Sequence, residues 1–159
     1  MHPVDQSKLD MIARYGFCFN PVRANGTDFV YTAGLYRTFK HPEIFVMGYQ
    51  IQDAANLIGM VYERIKSGDR FSEAMVIDDL WRESLFAIRP MLQSSTDEHS
   101  GRGQMLVGSF PAVQLFFTDE NDLFPWEEGC DPRCKRLQTC LLEVTPEIPV
   151  RQMRSLKMN

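Results

Sequence analysis

The stretch from Glu43 to Gly68 constrains this chain more than any other. Glu43-Ile-Phe-Val-Met-Gly-Tyr49 is a nearly unbroken apolar run, the pattern of a central strand covered on both faces. It leads directly into Ile51, Ala54, Ala55, Ile58, Val61, Tyr62 and Ile65, a stripe at i, i+3, i+4, i+7 that predicts an amphipathic helix. Lys66 suits the negative end of that helix, and Gly68 stands where a left-handed residue stops it. A strand buried on both sides needs neighbours in a sheet and a layer over each face. With 159 residues the chain is long enough to supply them in one domain without disulfides or metal.

The flanking segments supply candidates. Asp5 is a suitable N-cap for a short helix over residues 6–15, stopped by Gly16. Residues 17–23 and 29–36 are rich in β-formers and are separated by Asn25-Gly26, a hairpin turn signal. Met75 to Trp81, Leu85 to Met91 and Ala112 to Thr118 are further strands, the second ending or lying at an edge because of Pro90. Residues 93–104 are polar and read as a loop, with a short helical turn near Gln104 to Val107. The expectation is an α+β fold: an antiparallel or mixed sheet, open or partly closed as a barrel, packed with two main helices. That domain spans residues 1–130, and residues 131–159 form a tail that wraps the surface or is partly disordered.

Charge and cysteine content narrow the function. There are 21 acidic and 17 basic side chains, a net charge of −4, so no basic footprint points to nucleic acid. No apolar run approaches the roughly 20 residues that span a membrane, and Met-His-Pro-Val-Asp-Gln lacks the plan of a signal peptide. The expected location is the cytoplasm, with all four cysteines reduced. Self-association is left open, and no cofactor is specified.

Two separated blocks carry unusual residues. The first is Tyr31-Thr32-Ala33-Gly34-Leu35 with His41-Pro42-Glu43. The second is Pro111-Ala112-Val113-Gln114-Leu115, Asp119, then Phe124-Pro125-Trp126-Glu127 and Gly129. With Gly68-Asp69-Arg70-Phe71 between them, these blocks over residues 5–130 resemble the bacterial "domain of unknown function 4262" family. Phe117-Thr118 stands where that family usually has Trp-Pro. The resemblance implies a grouping and no mechanism.

Read as chemistry, His41 is a candidate general base with Glu43 as its orienting partner or as an acid. The bland and favoured reading is that both satisfy backbone groups in the connection. Tyr31 and Thr32 present hydroxyls on opposite faces of a strand, and Gly34 signals a bulge or a close approach. Gln114 inside an apolar strand binds a ligand or a neighbouring backbone. Asp119 and Glu127 could join His41 in a carboxylate–imidazole cluster, although Asp119 reads first as a turn residue. Phe124 and Trp126 read as core before they read as a stacking platform.

Cys130, Cys134 and Cys140 have C-x3-C-x5-C spacing, which is not the usual one of a structural zinc site; Cys18, His99 or an acidic side chain would have to complete one, and no metal is assigned. Gly101-Arg102-Gly103 reads as a mobile surface loop, with a cation that could receive a phosphate or carboxylate. The basic C-terminal residues Arg133, Lys135, Arg136, Arg151, Arg154 and Lys157 read as a solvated face. Three functions compete. The leading one is a small-molecule or nucleotide binding module between the two blocks, at Tyr31, Thr32, Gly34, Gln114, Asp119, Trp126 and Glu127. The others are an acid–base or hydrolytic enzyme using His41, and an accessory or inhibitor protein acting through a surface. The binding reading requires the strands of Tyr31 and Gln114 to lie side by side, with His41 and Trp126 at a common cleft.

Overall fold

The computed structural model describes residues 3–23 and 26–142. In chain order these form α1 (Pro3–Tyr15), β1 (Cys18–Val22), β2 (Phe29–Ala33), α2 (Leu35–Phe39), β3 (Glu43–Met47), α3 (Ile51–Lys66), β4 (Met75–Ile77), β5 (Phe86–Pro90), α4 (Gln93–His99), α5 (Gly101–Val107), β6 (Ala112–Phe117) and α6 (Pro132–Leu137). The six strands make one mixed sheet in the order β1-β2-β3-β6-β5-β4. Neighbours are antiparallel except for the central pair, β3 and β6, which run parallel. No helix of the described residues is long and apolar enough to cross a membrane.

The apolar run of β3 is buried on both faces, because alternate side chains enter different layers. Ile44 and Val46, with Val113, Leu115, Ile88 and Ile77 of the neighbouring strands, pack against Ala54, Leu57, Ile58, Val61 and Ile65 of α3. Phe45 and Met47 point the other way, into a cluster with Phe29, Tyr31, Met91, Phe110 and Ala112. Farther along that second face, Val76, Ala87 and Phe116 pack with Phe124, and Trp126 lies against them. Each large aliphatic or aromatic side chain buried in this way contributes about 1.5–3 kcal/mol, so the two-sided packing of β3 and β6 fixes their central place. At the end of α3, Gly68 takes φ 104°; its N–H reaches the Ile65 carbonyl, while the Asp69 N–H reaches that of Arg64. Those paired bonds are the glycine stop read from the sequence.

Several expectations are corrected. The sheet does not close into a barrel; among the described residues β1 and β4 are its two edges. Layers on both faces bury its apolar surface, so curling is not needed. The expected strand 29–36 stops at Ala33, because Gly34 at φ 120° turns the chain into α2. The polar segment 93–104 is not a loop but the helix α4 and the start of α5; α4 meets β2 through His99 against Phe29, and α5 through Gly103 against Tyr31. The strand expected over 75–81 keeps only Met75–Ile77. Asp5 lies within the first turn of α1 instead of capping it, since that helix begins at Pro3.

Of the expected tail, α6 and residues 138–142 fold back onto the sheet, with Met91 bridging to Leu142. Asn25 of the hairpin signal, residues 143–159 of the tail and the basic residues Arg151, Arg154 and Lys157 among them lie outside the described residues.

Candidate functional site

The corner where β2 turns into α2 is built by Glu43. Its carboxylate is fully buried and accepts hydrogen bonds from Thr32 Oγ1 (2.8 Å) and from the backbone N–H groups of Gly34 (3.0 Å), Leu35 (3.1 Å) and Tyr36 (3.0 Å). Those amides open α2, and the first two would otherwise be buried without partners. Burial pushes the Glu43 carboxyl up to about 7, against the pull of the four donors. Thr32 Oγ1 in turn accepts the Ile44 N–H at 2.9 Å. Gly34 is required twice over. Its φ is left-handed, and a Cβ there would sit 2.6 Å from the Gly16 carbonyl oxygen.

His41, also fully buried, turns elsewhere. The Phe71 N–H donates to Nε2 at 2.9 Å, which places the ring proton on Nδ1, 2.8 Å from the Pro42 carbonyl. Burial lowers its pKa, the Pro42 bond opposes that, and Arg70 lowers it further. The imidazole is therefore a neutral brace on the α3 side of the sheet, where its ring meets Phe71.

In the second block Gln114 donates to the Thr139 carbonyl at 2.6 Å and accepts from the Leu141 N–H at 3.0 Å, so its amide clips the returning chain to β6. Gln138 repeats this on the Phe117 backbone, through both its donor and its acceptor. Asp119 accepts the N–H groups of Asn121 (2.9 Å), Leu123 (3.0 Å) and Asp131 (2.7 Å). The Asp131 and Leu123 bonds lead in holding its carboxyl below the usual range. Glu127 accepts the Phe124 N–H at 3.0 Å. Trp126 stacks on Phe124 and meets the edge of Phe116; its buried indole N–H has no hydrogen-bond partner among the described residues.

The two blocks are therefore not drawn into one cleft. Tyr31 and Gln114 lie on either side of β3, each in register with Phe45, instead of on adjacent strands. His41 faces the α3 layer, whereas Trp126 lies in the opposite one. His41 is held by the Phe71 and Pro42 backbone, Glu43 by Thr32 and the amides of residues 34–36, and Asp119 by the amides of Asn121, Leu123 and Asp131, so the imidazole and these two carboxylates serve three separate places. No group of three or more His, Cys, Asp or Glu that could hold a metal occurs among the described residues. Cys18, Cys130, Cys134 and Cys140 are free thiols, and burial leads in pushing Cys130 up to about 12, helped by Cys134 and Asp119. At that value it is a poor nucleophile near neutral pH.

Tyr31 leads to a different place. Its hydroxyl accepts the Gly103 N–H at 2.9 Å, and its ring stacks on Phe45 with centroids 4.8 Å apart. A Cβ at Gly103 would lie 2.7 Å from the Tyr31 ring, so glycine lets α5 seat directly on β2. That seat carries Arg102 across to α1, where its guanidinium donates to Asp5 at 2.8 Å. Between the helices runs a groove of about 440 Å³ lined by Asp5, Leu9, Arg102, Met105 and Leu106. Lys8, from the same turn of α1, donates to Asn20 Oδ1 and the Phe19 carbonyl, and it is near enough to Arg102 for the two charges to repel. Burial lowers the Lys8 pKa first, with Arg102 adding to that and Cys18 opposing. Of these residues the sequence singled out Arg102, as a loop cation, and Asp5, as a cap. Lys8, Leu9, Met105 and Leu106 carried no signal beyond helical spacing.

A six-stranded mixed α/β sheet, helical on both faces and with its two sequence blocks turned into braces, defines the structural class. The chain belongs to the family described as Domain of unknown function (DUF4262), whose pattern matches residues 11–131. No curated protein and no solved structure matches the chain. The family carries no established activity, so any function has to be argued from the geometry.

Proposed function

We propose that this protein is a small-molecule binding module of the bacterial cytoplasm, and that its ligand is a small organic anion with an apolar body, seated in the groove between α1 and α5. The carrying observation is the wall of that groove: Leu9, Met105 and Leu106 offer apolar surface beside Arg102. In the wall Arg102 faces one carboxylate, Asp5, and Lys8, which bonds Asn20 and Phe19 outside the wall, adds positive charge nearby on a chain whose net charge is −4. A ligand carboxylate would take the guanidinium from Asp5 or share it, while its hydrocarbon part covers Met105, which is 86% exposed. A pocket with mostly apolar walls and a few placed polar groups is the usual form of such sites. Tyr31 supports this reading from beneath, by holding Gly103 and with it the position of Arg102. Four free thiols fit a reducing compartment.

The test is a titration with octanoate, followed by NMR at the Met105 methyl group. Saturable binding is expected, with Arg102→Gln weakening it about tenfold, or ~1.4 kcal/mol. Octanol, which keeps the chain and lacks the charge, should bind more weakly than octanoate. A non-saturating shift, or equal affinity for the Arg102→Gln protein, sinks the reading.

A further inference from the structure

A second groove lies across the molecule from the first element pair, against the opposite face of the sheet. It has a volume of about 200 Å³ and is lined by Tyr49, Asp53, Asn56, Leu57, Met60, Trp81 and Phe86. Its floor belongs to the core: Leu57 of α3 and Phe86 of β5 are buried. Its rim does not. Trp81 remains 44% exposed, although an indole of that size is normally drawn inward. Asp53 is exposed on the first turn of α3 and forms no ion pair among the described residues. A carboxylate there suits the positive end of the helix, which accounts for its being acidic but not for the aromatic wall beside it.

The Tyr49 ring is held by packing. Tyr49 stacks on Phe117 with centroids 4.2 Å apart, so its ring cannot swing away from the groove without losing that contact. Trp81 already attracts a cation. The Arg82 guanidinium lies 4.8 Å from the ring centroid, with Arg82 at φ 50°, a left-handed conformation uncommon for such a residue. Arg82 is not part of the groove wall, so the indole also presents surface to the groove that this cation does not cover. Burial raises the Tyr49 hydroxyl pKa, and Asp53 adds to the rise, which keeps the phenol neutral. An indole, a phenol ring, a thioether and one unpaired carboxylate around a space of this size form the recognition chemistry of an alkylated ammonium group.

We propose that the groove formed by Tyr49, Asp53, Met60 and Trp81 binds a small organic cation of the alkylammonium class. The cationic head sits between the Trp81 and Tyr49 rings, with Asp53 supplying the counter-charge and Asn56 a polar rim. The site is independent of the α1/α5 groove, which selects the opposite charge.

Titration of the full chain with tetramethylammonium chloride, read at the Trp81 indole N–H by NMR, tests the proposal. A saturable shift is expected beyond that of matched sodium chloride. Neopentyl alcohol, a neutral group of similar shape, should bind about fivefold or more weakly, and Asp53→Asn should lose a similar factor. Asp53 is exposed, so that variant should fold; its unchanged melting temperature is the control. A shift that merely follows ionic strength, equal binding of the neutral isostere, or undiminished binding by Asp53→Asn each overturns the proposal.

Discussion

The Glu43 corner and the α1/α5 groove both contain charged side chains beside buried structure, and they use them in opposite ways. At the corner every oxygen of the carboxylate is taken by the protein itself, three donors being backbone amides within three consecutive residues. At the groove Arg102 and Asp5 are partly exposed and meet through a single bond between helices 97 residues apart in the chain. The contrast teaches that a conspicuous residue pattern can mark a turn that is hard to build. A side chain available to a ligand is one whose hydrogen-bonding capacity is not exhausted internally. Tyr31 belongs to both regions in effect, since it sits in the first sequence block and holds the wall of the groove.

The largest effect expected from this contrast is at the corner. Glu43→Ala leaves the buried Gly34 and Leu35 amides, the half-buried Tyr36 amide and the Thr32 hydroxyl without their acceptor, at roughly 1–3 kcal/mol per buried unsatisfied group. A loss of about 3 kcal/mol or more in urea unfolding is expected. Gly34→Ala should be comparably severe, because it combines a left-handed φ with a Cβ 2.6 Å from a carbonyl oxygen. Losses under about 1 kcal/mol in both would break the comparison by showing that the corner is not a structural brace.

Next in size is a pH dependence with two opposing limbs. The Glu43 carboxyl has an ordinary value of 4.5 and stands at about 7 in the fold, so the folded chain holds this proton more tightly than the unfolded one. Its contribution to stability is complete below 4.5 and is lost as pH rises through 7, by up to about 3 kcal/mol. His41 acts in the reverse sense. Its pKa is lowered from 6.5, so its contribution is present above that value and is lost as pH falls below it. Glu43→Gln should remove the alkaline limb and leave the acid one. If denaturant unfolding of Glu43→Gln keeps the same decline between pH 5 and 7.5, the carboxyl is not its source.

How much of this was legible follows from range and periodicity. The β3–α3 unit could be read because its apolar spacing is strict and its stop, Gly68, is adjacent. The backbone-satisfying reading of His41 and Glu43 was also within reach, since a buried imidazole and carboxylate need partners wherever they lie. The short helix α2 was not, because what starts it is a carboxylate seven to nine residues farther along the chain. The helices α4 and α5 were hidden by polar composition and two glycines; only the contact of Gly103 with Tyr31 explains why glycine stands there. The groove itself had no local signal. Asp5 and Arg102 come from distant segments, and only the packing of α5 on β2 brings them together.

The smallest stability effect and the sharpest test of the comparison belong to Asp5. An exposed ion pair contributes about 0–1 kcal/mol, so Asp5→Asn should change unfolding little. Its effect on binding should be of opposite sign to that of Arg102→Gln. In the resting groove Asp5 occupies the guanidinium that the ligand anion needs, so neutralising it removes a competitor and leaves Arg102 and Lys8 unopposed. Octanoate affinity should therefore rise, by about three- to tenfold at low ionic strength, and the gain should shrink as salt screens the charges. At the Glu43 corner no charge removal can have this effect, because there the carboxylate is the structure. If Asp5→Asn weakens octanoate binding instead, Asp5 orients the ligand instead of competing with it, and the groove selects a zwitterion or a cation.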